Sequence, residues 1–179
     1  MEVALSEPWQ IAEVPGPRKA LVITKPEVVA AMIKKAKSPI LIVGHKAAEI
    51  DFEEGKLIDF LIEFSKKSGI PIVATAHAVS EFLKRNFKPA AFMPAVDIAN
   101  RLADKSWKGV DGKGQHDLAL IVGLYYYMEW VILSGLKNFA PNLKTITLDN
   151  VYHPNASWSF PNIAHDEWVK NLKVIAEKI

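Results

Sequence analysis

The sequence contains no cysteine. This absence excludes a disulfide framework, a thiolate nucleophile and any iron–sulfur cluster or zinc ion held by thiolates. Redox-metal chemistry, if the protein takes part in it, must therefore be carried by another chain. The five histidines are scattered without a His-Glu-x-x-His pattern, so we expect no metal site built from them. No nucleophile, base and oxyanion donor can be assembled from the motifs, and we expect no catalytic residues.

A strong net charge is also missing. The 22 basic side chains nearly balance the 20 acidic ones, which leaves a formal net charge of +2. Such a chain has no strong field toward nucleic acid or an anionic membrane, so we expect neither as a partner. The N-terminus lacks a basic start followed by an apolar stretch, because Glu2, Ser6 and Glu7 interrupt it. We therefore expect a cytoplasmic protein.

One long apolar run, residues 118–136, lies between Asp117 and Lys137. Gly123 divides it into a β-branched part and an aromatic part. In lipid, the central Glu129 would cost about 2.5–3.5 kcal/mol. The pattern therefore predicts a buried strand followed by a helix rather than a membrane span.

Short apolar runs alternate with amphipathic segments along the rest of the chain. Strands are predicted at 39–43, 70–74, 116–122 and 143–148, and helices at 24–37, 57–68, 80–86, 95–103, 125–139 and 166–177. Thr24 is the predicted N-cap of the first helix, and Ser80 that of the helix at 80–86. Because the strands are apolar on both sides, we expect an α/β fold with a parallel sheet covered on both faces.

Residues 1–19 hold several prolines and show no sustained period, so we interpret them as an N-terminal arm. Its Trp9 either straps the chain to another subunit or packs on its own domain. Residues 20–179 are then a single domain.

In an open parallel sheet, ligands bind beyond the carboxyl ends of the strands. The residues that follow each predicted strand are therefore the candidates for binding a nucleotide or flavin. They are Gly44, His45, Lys46 and Ala47 after the first strand, Thr75 and His77 after the second, Gly123 and Tyr125 after the third, and Asp149 after the fourth.

Two of these candidates, Gly44 and Asp149, also have a structural interpretation. Gly44 and Lys46 could hold a phosphate, but a glycine is also what any tight strand-to-helix turn prefers. Asp149 could accept hydrogen bonds from a ribose, or could cap its own turn together with Asn150. The local sequence leaves both pairs of alternatives open.

The helix at 125–139 is apolar around most of its circumference, whereas a helix on a sheet needs only one apolar side. Its second side meets either a partner or another apolar layer of the same domain. Tyr126, Tyr127 and Trp130 are the candidate contacts there. Trp158 and Phe160, set among turn formers, are further interface candidates.

Four segments together carry a family resemblance. Residues 38–82, from SPILIVGHKA to AVSEF, resemble the central domain of thiamine-diphosphate enzymes such as pyruvate oxidase and acetolactate synthase, which binds FAD or ADP in some members. With WKGVDGKG at 107–114, HDLALIVG at 116–123 and LDNVYHPNASWSFPN at 148–162, the whole chain is similar to the epsilon subunits of archaeal acetyl-CoA decarbonylase/synthase complexes.

The resemblance implies a three-layer α/β/α sandwich with a six-stranded parallel sheet, Rossmann-like and of the type that binds NAD or FAD. It also implies a non-catalytic accessory subunit of the carbon monoxide dehydrogenase component. Such a subunit joins a large alpha subunit, which bears nickel and iron–sulfur clusters, in a heterotetramer. There it stabilises alpha or assists electron transfer to FAD.

An alternative is a stand-alone electron-transfer protein that binds a flavin or nucleotide. The loop at 44–49 lacks the second glycine of flavin-binding relatives, so we assign no cofactor and leave FAD as an open alternative. We expect the isolated chain to self-associate.

Overall fold

The computed structural model describes residues 16–179, so the predicted contacts of Trp9 lie outside the described residues. The strands are β1 (Leu21–Val22), β2 (Pro39–Val43), β3 (Asp51–Phe52), β4 (Gly55–Lys56), β5 (Ile72–Ala74), β6 (Ala91–Phe92), β7 (Leu118–Val122), β8 (Lys144–Thr147) and β9 (Trp158–Ser159). The helices are α1 (Pro26–Lys35), α2 (Leu57–Ser68), α3 (Val79–Lys84), α4 (Ala95–Ala103), α5 (Tyr126–Phe139) and α6 (His165–Glu177).

Seven parallel strands form the central sheet in the order β1-β9-β8-β7-β2-β5-β6. From β2 the chain proceeds through β5 to one edge, then returns to β7 on the other side of β2 and continues through β8 to β9. The strand order therefore reverses between β2 and β7, which pair along their full length from Pro39 with Leu118 to Val43 with Val122. This central reversal is where an open α/β sheet forms its crevice.

Helices cover both faces of the sheet because the strands bury side chains on both sides. Leu41 and Val43 of β2 point into a core shared with α1, α2, α3 and α6. The intervening Ile40 and Ile42 point into a second core shared with α4 and α5. The predicted three-layer α/β sandwich with a parallel sheet is confirmed.

The sheet has seven strands where the resemblance implies six. Three of them, β1, β6 and β9, are only two residues long. Segments this short show no apolar run that a sequence pattern can detect. A separate antiparallel hairpin of β3 and β4 was missed for the same reason.

Two predicted helix caps are wrong. Thr24 does not cap α1, which begins at Pro26 with Lys25 in the N-cap position, because a proline already has the backbone angle of a first helical turn. Ser80 lies inside α3, which follows directly from the 3-10 turn Ala76–Ala78.

The apolar run at 118–136 forms β7 and most of α5, as predicted. Among residues 16–179, no helix has the length and apolar character needed to cross a membrane.

Candidate functional site

The candidate residues gather where β2, β5, β7 and β8 end, an edge of the sheet that we call the carboxyl edge. The ring of His45 packs on Tyr125 at a centroid distance of 4.6 Å and lies 6.3 Å from the ring of His77. Lys46 places its Nζ 5.8 Å from the centre of the Tyr125 ring. Residues that follow three different strands therefore meet at this edge, as the parallel topology predicts.

The loops after β2 and β7 are in direct backbone contact. A Cβ on Gly44 would lie only 2.0 Å from the carbonyl oxygen of Gly123. Gly123 itself has a φ of +74°, and a Cβ there would approach the Ala47 nitrogen to 2.9 Å. The close approach that Gly44 permits is thus an approach to the protein's own chain, which favours the structural interpretation of this glycine.

Three amides of the β2 loop that could cradle a phosphate already donate to the protein's own backbone. The Gly44 amide donates to the Val122 oxygen at 2.9 Å, and the Lys46 amide to the Gly123 oxygen at 3.1 Å. The Ala47 amide donates back to Gly44 at 3.2 Å. A phosphate at this loop would have to displace these bonds, so the β2 loop does not fit the phosphate cradle of a flavin site.

Thr75 is buried rather than open to a cleft. Its amide donates to the Val43 oxygen at 3.0 Å, and its carbonyl accepts from the Ala78 amide at 2.8 Å. His77, in contrast, is exposed. Of the two residues predicted after β5, only His77 is available to a ligand or partner in this arrangement.

A buried polar cluster lies beneath the carboxyl edge. Glu129, in the first turn of α5, is 0 % exposed, and its Oε2 lies 3.7 Å from Nε2 of the buried His153. No N–H or hydroxyl group of the described residues donates to either Glu129 oxygen, and His153 Nδ1 has no hydrogen-bonding partner among them. The Glu129 and Asp149 carboxyls are close enough to hydrogen-bond to each other when one of them carries a proton. Asp149, half-buried after β8, completes the group.

Burial raises the pKa of Glu129 well above its ordinary value, and the neighbouring Asp149 carboxyl raises it further. Burial also raises the pKa of Asp149, but hydrogen bonds from Glu129 and from the Gly123 amide act in the opposite direction. Of the two carboxyls, Glu129 therefore has the more strongly raised pKa. Burial lowers the pKa of His153 to about 4, so its imidazole is neutral.

Asp149 has a structural role that neither interpretation of the sequence gave it. Its carboxylate accepts the Gly123 amide at 3.0 and 3.3 Å, and so ties the end of β8 to the end of β7. Glu129 and His153 were not predicted as members of this group. The available signals were a single acid inside the apolar run at 118–136 and a histidine in the distinctive segment at 148–162.

Comparison with known proteins bears on the whole chain. The model of a family described as CO dehydrogenase beta subunit/acetyl-CoA synthase epsilon subunit matches residues 2–177. The chain belongs to this family. An acetyl-CoA decarbonylase/synthase complex subunit epsilon from Methanothermobacter thermautotrophicus is 37% identical over 171 residues, which are 95% of each chain.

Two further relatives carry the same subunit name. The protein from Methanothrix soehngenii is 40% identical over 158 residues, covering 88% of this chain and 81% of the relative. Subunit epsilon 1 from Archaeoglobus fulgidus is 36% identical over 159 residues, covering 88% and 83%. The family resemblance expected from the sequence is confirmed.

Because members of this family are named as subunits of a complex, exposed aromatic residues are candidate contacts with another subunit. Tyr125 is 47 % exposed and Tyr127 65 %, and their rings stack at 5.7 Å. Tyr126 is half-buried and stacks on His153 at 4.4 Å, and Trp130 is half-buried as well. The exposure expected on α5 is therefore present at its N-terminal end.

Of the second pair of predicted partner contacts, Trp158 and Phe160, only Trp158 is partly exposed. Trp158 is half-buried in β9. Phe160 is 1 % exposed and belongs to the same hydrophobic core as Trp168 of α6, so its ring is not accessible to a partner in this arrangement. Phe160 directly follows β9, and its side chain points into the core. The turn-forming residues around it in the sequence did not indicate this burial.

Proposed function

We propose that the chain is the epsilon subunit of an acetyl-CoA decarbonylase/synthase complex. In this proposal it is a non-catalytic accessory subunit of the carbon monoxide dehydrogenase component, and it stabilises a large alpha subunit that bears the nickel and iron–sulfur clusters, in a heterotetramer. The names of the relatives support membership of the complex. The absence of cysteine supports placing the clusters on another chain.

The exposed tyrosine pair at the start of α5 is the observation that carries the proposed docking role. Tyr125 and Tyr127 present large stacked rings to solvent, and Val131, one turn further along α5, is exposed as well. Tyrosine is enriched at protein interfaces and among the residues that contribute most to binding. The pair lies at the carboxyl edge, so we propose that this edge faces the alpha subunit. In the isolated chain the same surface would mediate self-association.

Replacing Tyr127 with alanine tests this docking surface. We expect Tyr127→Ala to weaken binding to the purified alpha subunit by about 2 kcal/mol, roughly 30-fold in Kd. Surface plasmon resonance measures the affinity, and thermal inactivation of the alpha subunit's carbon monoxide oxidation measures its stabilisation. The unfolding free energy of the isolated variant should stay within about 0.5 kcal/mol of the wild type.

Phe139→Ala is the matched control. Phe139 is an exposed aromatic at the opposite end of the same helix, and therefore at the opposite edge of the sheet. Its removal should leave the affinity unchanged. Equal loss in both variants, or loss in Phe139→Ala alone, would move the interface away from the carboxyl edge.

We propose stabilisation of alpha in preference to electron transfer to FAD, because the β2 loop uses its amides within the protein. A titration of the purified chain with FAD, followed by visible absorbance and by gel filtration, separates the two roles. We expect no stoichiometric uptake. One tightly held FAD per chain would favour the electron-transfer role.

A further inference from the structure

The buried group of Glu129, Asp149 and His153 has the dimensions of a metal site. Each residue offers one ligand atom, and these atoms lie within 4.8 Å of one another. Ligands placed about 2.0–2.2 Å from a common ion are separated by at most about 4.4 Å. Small side-chain adjustments therefore suffice to bring all three onto one ion.

The Glu129 carboxyl of this group lacks an N–H or hydroxyl partner among the described residues, which ordinary packing does not explain. Both oxygens of Glu129 are buried and accept no N–H or hydroxyl group of the described residues. Apart from a proton shared with Asp149, nothing among those residues satisfies this carboxyl, and His153 Nε2 faces it at 3.7 Å. Native proteins leave few such atoms, because an unsatisfied buried polar group costs free energy. An ion between Glu129 and His153 would satisfy the carboxylate and use the neutral imidazole.

The scaffold holds the three side chains in place. Glu129 projects from α5, and Asp149 is fixed after β8 by its hydrogen bonds with the Gly123 amide. His153 is oriented by stacking on Tyr126 at 4.4 Å. Asp149 is only partly buried, so an ion can approach the group from its side.

We propose that Glu129, Asp149 and His153 bind one divalent transition-metal ion. Two carboxylates and one imidazole form a donor set that suits Mn²⁺, Fe²⁺ or Zn²⁺. Ca²⁺ and Mg²⁺ prefer oxygen ligands alone, and copper(I) prefers thiolates and thioethers. The two negative charges of the carboxylates balance the charge of the ion. The simpler alternative is that Glu129 and Asp149 share only a proton.

Metal titration of the full chain decides between these alternatives. The purified protein is stripped with EDTA and titrated with Zn²⁺, Mn²⁺ or Mg²⁺ in an isothermal calorimeter. We expect one saturable site per chain for Zn²⁺ and Mn²⁺, a higher melting temperature with either ion, and no saturable site for Mg²⁺. If the pair shares only a proton, none of the three ions will show a saturable site.

Variants locate the site. Loss of a partner outside the ligand shell weakens metal affinity by about 10–100-fold, so Glu129→Gln and Asp149→Asn should each weaken it by at least about 100-fold. Both replacements keep the shape of the side chain, and an asparagine oxygen can still accept the Gly123 amide. Circular dichroism in EDTA verifies that each variant folds.

His77→Ala is the matched control, because His77 is an exposed histidine at the same edge. It should bind the ions as the wild type does. Binding that is lost in His77→Ala and kept in the buried variants would show an adventitious surface ion and overturn the proposal. If neither buried variant folds, the wild type and His77→Ala decide: one ion per chain in both supports the site, and no saturable binding in the wild type overturns it.

Discussion

Two acidic residues in the first turns of two helices have opposite environments. Asp59 of α2 has a side chain that is 47 % exposed, and it accepts the Lys56 amide at 3.0 Å and Arg85 Nε at 2.6 Å. Glu129 of α5 is fully buried, with no such donor among the described residues. Partial burial opposes ionisation of Asp59, yet the hydrogen bonds from Arg85 and Lys56 outweigh it and lower its pKa, whereas burial and Asp149 raise that of Glu129.

The difference lies in where each helix sits. α2 begins beside the β3–β4 hairpin, where an acid reaches solvent and an arginine. α5 begins at the carboxyl edge, directly after the central strand β7, and Glu129 in its first turn lies close to Asp149, which follows β8. A first-turn acid at α2 therefore contributes to stability. At α5 the corresponding acid has no such donor, and in our proposal it binds a metal ion instead.

The largest expected difference between α2 and α5 is in the unfolding free energy that is lost when an apolar residue of each helix is replaced by alanine. Leu61 of α2 is fully buried, and Leu61→Ala should lower the unfolding free energy by about 2–5 kcal/mol, because it leaves a cavity in the core. Val131 of α5 is exposed, and Val131→Ala should change that free energy by no more than about 0.5 kcal/mol. Urea denaturation measures both. If both substitutions lowered the unfolding free energy by similar amounts, Val131 would contribute to the stability of the fold as Leu61 does.

A smaller effect of opposite sign is expected at Gly135. This residue lies inside α5, and a Cβ there would meet nothing within 4 Å. Gly135→Ala should raise the unfolding free energy by about 0.5–1 kcal/mol, because alanine loses less conformational freedom in a helix. Thermal denaturation followed at 222 nm would detect the gain.

Gly44→Ala should have the opposite effect in the same thermal denaturation experiment. Its Cβ would lie 2.0 Å from the Gly123 oxygen, so the same substitution should be destabilising there. A loss of stability in Gly135→Ala would show that α5 is packed more tightly than its described neighbours indicate.

The smallest effect concerns pH. Because the pKa of Asp59 is lowered by folding, its contribution is present above the unfolded value of about 4 and is lost as pH falls through the lower folded value. The contribution of this exposed pair is at most about 1 kcal/mol. Urea denaturation between neutral and acidic pH should give a shallower decline for Asp59→Asn than for the wild type. Identical pH profiles would mean that the pair with Arg85 contributes nothing.

The regular elements were the most predictable part of the fold. β2, α2 and α4 begin and end at the residues that their patterns indicate, because long apolar or amphipathic periods define them. The two-residue strands were not predictable, since pairing with neighbours, rather than their own composition, makes them strands. β9, for example, exists because Trp158 and Ser159 lie beside β8 on one side and β1 on the other.

The position of the candidate site was predictable, but its chemistry was not. Parallel topology places Gly44, Tyr125 and Asp149 at one edge whatever the strand order is. The contact of Glu129 with Asp149 depends on β8 pairing directly with β7, a long-range arrangement that no local pattern encodes. The backbone contact between Gly44 and Gly123 depends likewise on a long-range arrangement, the pairing of β2 with β7.

The central position of β7 has a consequence for how the protein is made. Ser38 donates its amide to Asp117 at the start of the β2–β7 pair, although the two residues are 79 positions apart. During synthesis, β2 therefore emerges from the ribosome well before the strand that covers its second side. Until β7 is synthesised, one edge of the apolar strand β2 stays unpaired and can bind chaperones or other nascent chains. Closure of a loop this long also slows folding, so the last half of the chain determines when the first half becomes stable.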